Sequence, residues 1–215
     1  MSTLAEIVDK IKIALGSGVS TDEGVLDDAF IANKVHGARA MVISTAARTP
    51  ARDRIVEACV QTINPGLLEY DVECDAVRFK CPTVISIDDR HDGFVYVGHV
   101  NQMKPFMRIR SNYTALSMHS LFAKEKEIVW DYTAGYQGEF TINVYKNSKL
   151  TNLLVKAIFN DPTQVPNYRE DVDQYPIDAT LEVELVEMVV NDLMRKFVRV
   201  PDTISDSTET FQTGK

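Results

Sequence analysis

The hydrophobic period of this chain changes twice, from helical to alternating and back, and that order is its strongest constraint on folding. Leu4, Ile7, Val8, Ile11 and Leu15 recur at helical spacing, and so do Phe30, Ile31, Val35, Ala38, Met41 and Val42. From Leu67 onward polar and apolar residues alternate, as in Tyr70-Asp71-Val72-Glu73-Cys74 and Ala76-Val77-Arg78-Phe79-Lys80-Cys81. After Ile177 the helical spacing returns, with Leu181, Leu185, Met188, Val189 and Leu193 along one stripe. Amphipathic helices at the two ends bury their stripes against each other, and the alternating middle then projects from them. The expected class is α+β: a helical bundle from N- and C-terminal helices with an inserted antiparallel β lobe. Residues 1–66 with 176–200 make the bundle, 67–160 the lobe, 161–175 a proline-rich strap and 201–215 a polar tail.

Local signals refine this plan. Thr3 and Glu6 form a capping box, and Gly16-Ser17-Gly18 ends the helix it opens. A second box, Ser20 with Glu23, opens a helix over 24–47, closed by Thr49-Pro50. Residues 52–63 read as a further helix with Ile55, Val56, Cys59 and Ile63 inward, before a turn at Asn64-Pro65-Gly66. In the lobe, 83–87 and 94–98 flank DDRHDG and read as a hairpin whose Gly93 takes a positive φ. Further strands are expected at 106–110, 127–132, 140–145 and 153–159, while 113–122 fits either a helix or a loop. Pro162, Pro166 and Pro176 fix φ and hold the strap extended on its way back to the bundle.

At 215 residues, burial of roughly 70% of the unfolded chain's surface holds a core without metal or disulfide. Cys59, Cys74 and Cys81 are odd in number and loosely spaced, so reduced, buried thiols are expected. The N-terminus lacks the basic and apolar regions of a secretory signal, and no stretch is apolar enough to span a membrane. A net charge of −8 without a dense Lys/Arg block argues against tight binding to DNA phosphates.

No chemistry announces itself. Asp88, Asp89, His91 and Asp92 crowd one loop and form the strongest acid–base or metal candidate, but their spacing matches no Ca2+ loop and a solvated turn explains them. His36, His99 and His119 stand apart from one another. Nucleophile elbow, phosphate loop and dinucleotide fingerprint are all missing from the sequence. Glu182, Glu184, Glu187 and Asp192 lie mostly off the apolar stripe, facing solvent or a partner. Trp130, Tyr132 and Tyr136 are close enough to form an aromatic cluster, more simply lobe core than interface anchor. No cofactor, no metal and no enzymatic activity are expected; a small hydrolase using the Asp88–Asp92 loop is the alternative from a different class.

Three stretches carry a likeness: "LDDAFIANKVHGARAMVI" from Leu26, "YDVECDAVRFKCPTVISI" from Tyr70 followed by "GFVYVG", and "IFNDP" with "DQYPID" before the last helix. In these the chain resembles the neck ring, or head-to-tail adaptor, proteins of podovirus-type tailed bacteriophages, those of crAss-like phages in particular. The resemblance implies a virion structural protein: a homo-oligomeric, twelve-fold ring beneath the portal protein that joins capsid to tail. The next tail or neck ring protein would sit on its other side, and DNA would pass through without specific binding. Such a protein resides in the virion neck and, during assembly, in the host cytoplasm, with no membrane partner. An acidic balance suits a channel along which DNA slides. The tail after Val200 matches nothing in the likeness, and another tail or capsid accessory protein is the alternative within the virion. Under the ring reading the strap lies at a subunit junction, with Tyr168, Asp171, Asp173 and Tyr175 as interface residues and Arg39, Arg48 and Arg52 as their cross-subunit partners.

Overall fold

The computed structural model describes residues 2–16, 27–49, 57–65, 68–73, 75–87, 92–101, 104–109, 128–134, 140–145 and 149–197. Helix α1 is Leu4–Gly16 and starts on the expected box: the Thr3 N–H donates to Glu6 Oε2 (3.1 Å) and the Glu6 N–H to Thr3 Oγ1 (3.3 Å). Helix α2, Asp28–Ala46, begins later than expected, after Asp27 in extended conformation. The second box, Ser20 with Glu23, lies outside the described residues, as do Gly66, 113–122 and the tail. Helix α3, Ala179–Phe197, is capped by Asp178, whose carboxylate accepts from the Thr180 N–H at 2.8 Å. Leu15 of α1, Ile31, Val35 and Ile43 of α2, and Leu185 and Leu193 of α3 belong to one buried core. Helices from the two ends of the chain therefore share their apolar stripes, and the class is α+β.

The expected helix over 52–63 does not run to its end. Only 57–59 is helical within its described part, and Gln61–Ile63 is a strand, β1. It pairs antiparallel with β8, Leu154–Ala157, in the register Gln61↔Ala157 to Ile63↔Val155. Backbone groups of so short a segment are satisfied by whichever ladder lies beside them, and here that ladder is 90 or more residues away in sequence. Strand β4, Phe94–Gly98, completes a three-stranded sheet in the order β1-β8-β4.

The second sheet has β2 (Glu69–Asp71), β3 (Ala76–Cys81), β5 (Met107–Arg108), β6 (Val129–Ala134) and β7 (Phe140–Tyr145), in the order β2-β3-β7-β6-β5. The 140–145 strand appears as expected, whereas β5 is shorter than the expected 106–110 and pairs parallel to β6, a departure from an all-antiparallel lobe. Val77 faces Val144, which faces Trp130 on the next strand, and all three enter a core shared with Ile63, Val97 and Val155 of the smaller sheet. Cys59 and Cys81 are free and buried, as expected, and burial pushes the Cys81 thiol up to about 12. Cys74 lies outside the described residues.

Between 83 and 98 the expected hairpin is not a regular ladder. Val84 bridges Phe159 and Ser86 bridges Asp92 as isolated contacts, while β4 pairs with β8 instead. Gly93 does not have a positive φ; its role is close approach. A Cβ there would stand 2.8 Å from the Ile158 carbonyl oxygen and 2.9 Å from Val84 Cγ1. The Gly93 N–H donates to Ile85 O and the Ile158 N–H to Gly93 O, both at 2.9 Å, so three segments cross at this residue. Neighbouring side chains here face opposite ways: Val84 and Phe159 enter the sheet core, Ile85 and Ile158 the helical core.

The strap is not extended either. Pro162–Gln164 is a 3-10 turn capped by Asp161, the Tyr168 N–H donates to Val165 O (3.1 Å), and the Asp173 N–H donates to Arg169 O (2.8 Å). Asn167 takes a positive φ of 71° between these turns. The prolines admit no α-helix, yet Pro162 itself opens a 3-10 turn, and side-chain and backbone caps fold the segment into successive turns.

Candidate functional site

The strap meets α2 at a buried arginine. Arg39 is 0% exposed, and its guanidinium donates to three carbonyls: Nε to Pro176 O (2.9 Å), Nη1 to Phe159 O (2.6 Å) and Nη2 to Cys59 O (3.3 Å). It also lies 5.6 Å from the centroid of the Tyr175 ring. A planar fork with several fixed donors is what one side chain needs to gather carbonyls from three separate segments. Burial lowers its proton affinity below the ordinary arginine value, against which the fields of Tyr175, Cys59, Tyr168 and Asp161 act.

Tyr175, also 0% exposed, is held from both ends. Its hydroxyl is 2.9 Å from His36 Nδ1, and its N–H donates to Ser2 O at 2.9 Å. His36 Nε2 stands 3.7 Å from the Asp161 carboxylate. Burial keeps His36 below the ordinary histidine value; Asp161 opposes this and the Arg39 cation reinforces it. The Tyr175 hydroxyl is raised, by desolvation above all.

The candidate interface residues thus separate. Arg39 and Tyr175, expected at an interface, are instead fully buried within the chain and packed on each other, leaving no exposed surface of their own to offer a second chain. Asp173 accepts the Arg169 N–H (2.8 Å) and stabilises a local turn. Tyr168 is half-buried against the sheet core, its hydroxyl without a hydrogen-bond partner among the described residues and pushed up to about 12 by desolvation. Arg48 is exposed at the end of α2 but donates through Nη2 to Ile87 O at 2.9 Å. Asp171 is exposed, beside a shallow pocket with Leu4, Ala5 and Ala32. Arg52 lies outside the described residues.

Of the acidic loop, Asp88, Asp89 and His91 also lie outside them, and Asp92 is committed elsewhere. Arg108 Nη1 donates to Asp92 Oδ1 at 2.9 Å, with Nη2 on the second oxygen, a two-point ion pair. The same guanidinium lies 5.5 Å from the Trp130 centroid and 5.0 Å from that of Tyr132. Trp130 is 4% exposed and Phe94 meets it edge-on at 5.2 Å, with Tyr132 and Phe140 alongside; Tyr136 lies outside the described residues. Among the described residues no group of three or more His, Cys, Asp or Glu could hold a metal ion, and no helix is long and apolar enough to cross a membrane.

Outward-facing features differ in character. A groove of about 560 Å3 runs between α2 and α3, lined by Phe30, Lys34, Ala38, Met41, Met188 and Val189 among others. Sequence reasoning missed it because Phe30, Met41 and Met188 read as core, whereas Phe30 is 39% and Met41 63% exposed. At one end Asp192 accepts from both Lys34 (3.0 Å) and Lys196 (3.1 Å), and these two ammonium groups lower its pKa. On the edge of the larger sheet, the turn after β2 exposes Val72 at 79%. No protein-family model matches this chain, and no characterised relative matches it either.

Proposed function

We propose that this chain is a structural subunit of a bacteriophage neck, forming a ring that joins the portal to the tail and lines the path of the DNA. What supports the reading is the division of labour among its side chains. Polar groups able to do chemistry, namely Arg39, His36, Tyr175, Asp92 and Arg108, are turned to holding segments of the subunit together. Apolar side chains meanwhile stand exposed in separate places, on α2 at Met41 and on the sheet edge at Val72. A rigid body with two unlike sticky surfaces is what a closed ring of identical copies requires. The likeness in "LDDAFIANKVHGARAMVI", "YDVECDAVRFKCPTVISI" and "DQYPID" is what supports the neck as its location.

Electron microscopy of the neck of virions that carry this chain tests the reading. The expected result is a closed ring of the chain between portal and tail. Density for it elsewhere on the particle would favour a tail or capsid accessory role, and its absence from purified particles would remove it from the virion altogether.

A further inference from the structure

We propose that the α2–α3 groove seats the β2–β3 hairpin of a second copy of this chain. The two surfaces complement each other in charge, and both present exposed apolar side chains. Ala38, Met188 and Val189 line the groove with Met41 at its rim, and Gly37 leaves a notch, since a Cβ placed there would have no atom within 4 Å. At its Lys34 end one carboxylate, Asp192, is shared by two ammonium groups, and Arg195 is exposed on the same helix end. The groove therefore ends in excess positive charge on a chain whose net charge is −8.

The hairpin supplies the opposite. Val72 is the most exposed large apolar side chain among the described residues, at 79%, and Tyr70 beside it is 46% exposed. Glu69, Asp71, Glu73 and Asp75 surround them. The described residues of the hairpin are already braced, which lowers the cost of ordering on binding: Asp71 is paired with Arg78 (2.7 Å) and accepts the Glu73 N–H (2.8 Å), while the Tyr70 hydroxyl donates to Asp75 (2.7 Å). An acidic, apolar-tipped knob on the sheet edge thus matches an apolar, cationic-ended groove on the helices. Because knob and groove are different surfaces, each copy offers one and accepts the other, and the contact propagates until it closes. Only that closure rests on the ring reading above; the pairwise contact stands without it.

The test is site-directed cross-linking in the full chain with Cys74→Ser, leaving Cys59 and Cys81 buried. Met41→Cys in one preparation and Val72→Cys in another should form disulfide-linked dimers when mixed and oxidised, and little when either is oxidised alone. Pairing Val72→Cys with Ile13→Cys, 75% exposed on α1, sets the background. Gly37→Trp, which fills the notch without touching the core, should lower the mixed yield by about tenfold, as loss of an interface anchor does. Yields at background, or yields indifferent to Gly37→Trp, overturn the proposal. Protection of Met41→Cys that does not depend on concentration also overturns it, because the groove would then be filled from within the same copy. A neck ring whose grooves hold something else sinks this contact alone. Cross-linking without a ring in the neck sinks the phage reading and leaves the contact standing.

Discussion

The guanidinium of Arg39 lies 5.6 Å over the ring of Tyr175, and neither side chain has any exposure to solvent. The pair closes α2 onto the strap, and through Phe159 and Cys59 onto the segments that adjoin β8 and β1 of the smaller sheet.

Arg39→Met is accordingly expected to cost about 3–5 kcal/mol, because it strands three buried carbonyls at once. Arg39→Lys keeps the charge but reaches fewer of them, and should still lose about 2 kcal/mol. Urea titration measures both. Limited trypsin digestion gives a second readout, since cleavage after the exposed Arg169 should accelerate as the strap loosens.

His36 makes stability depend on pH near neutrality. Its folded pKa lies below the unfolded value of about 6.5, so the unfolded chain binds more protons and stability falls as pH drops through that range. The slope is at most about 1.4 kcal/mol per pH unit and ends below the folded pKa. His36→Asn retains an acceptor for Tyr175 and should flatten this part of the curve. Urea midpoints that stay equally steep between pH 7 and 5 in the variant would assign the effect to another group.

Glu182 operates in a lower window. Burial alone would raise its carboxyl, but hydrogen bonds from Lys10 and Ser2 outweigh it and the net shift is downward. Its contribution is therefore complete above the unfolded value of about 4.3 and is lost as pH falls through the folded one. Glu182→Gln should cost about 1–2 kcal/mol at pH 7, and little once the Glu182 carboxyl of the wild type is protonated in both the folded and the unfolded chain. Thermal melts at pH 7 and pH 3 check the difference.

Gly93→Ala should destabilise by about 1–3 kcal/mol, since the added methyl meets the Ile158 carbonyl, which belongs to backbone and cannot swing away. A midpoint unchanged from wild type would mean that the crossing is looser than its hydrogen bonds imply.

Local rules found what is local. The Thr3–Glu6 box, the α3 stripe and the 140–145 strand were legible because neighbours along the chain fix them. Strand β1 was not, since its partner Val155–Ala157 is remote and a three-residue strand leaves no period to read. The buried role of Arg39 left a trace: with Ile31, Val35, Val42 and Ala46 it keeps helical spacing, a charge lying on the apolar stripe of α2. What no spacing reveals is that carbonyls from 59, 159 and 176 converge on it. The groove was misread for the converse reason, because periodicity assigns Met41 inward without saying whether a neighbouring helix covers it.

The alternation at Val84-Ile85 and Ile158-Phe159 bears on how force travels through the protein. Consecutive residues of two bridged segments are anchors for separate interiors, so neither interior can slip without dragging the other. Heat should therefore melt helices and sheets in one step. If the chain stands in a phage neck as proposed, a body of this kind would carry load from one end to the other instead of hinging in its middle.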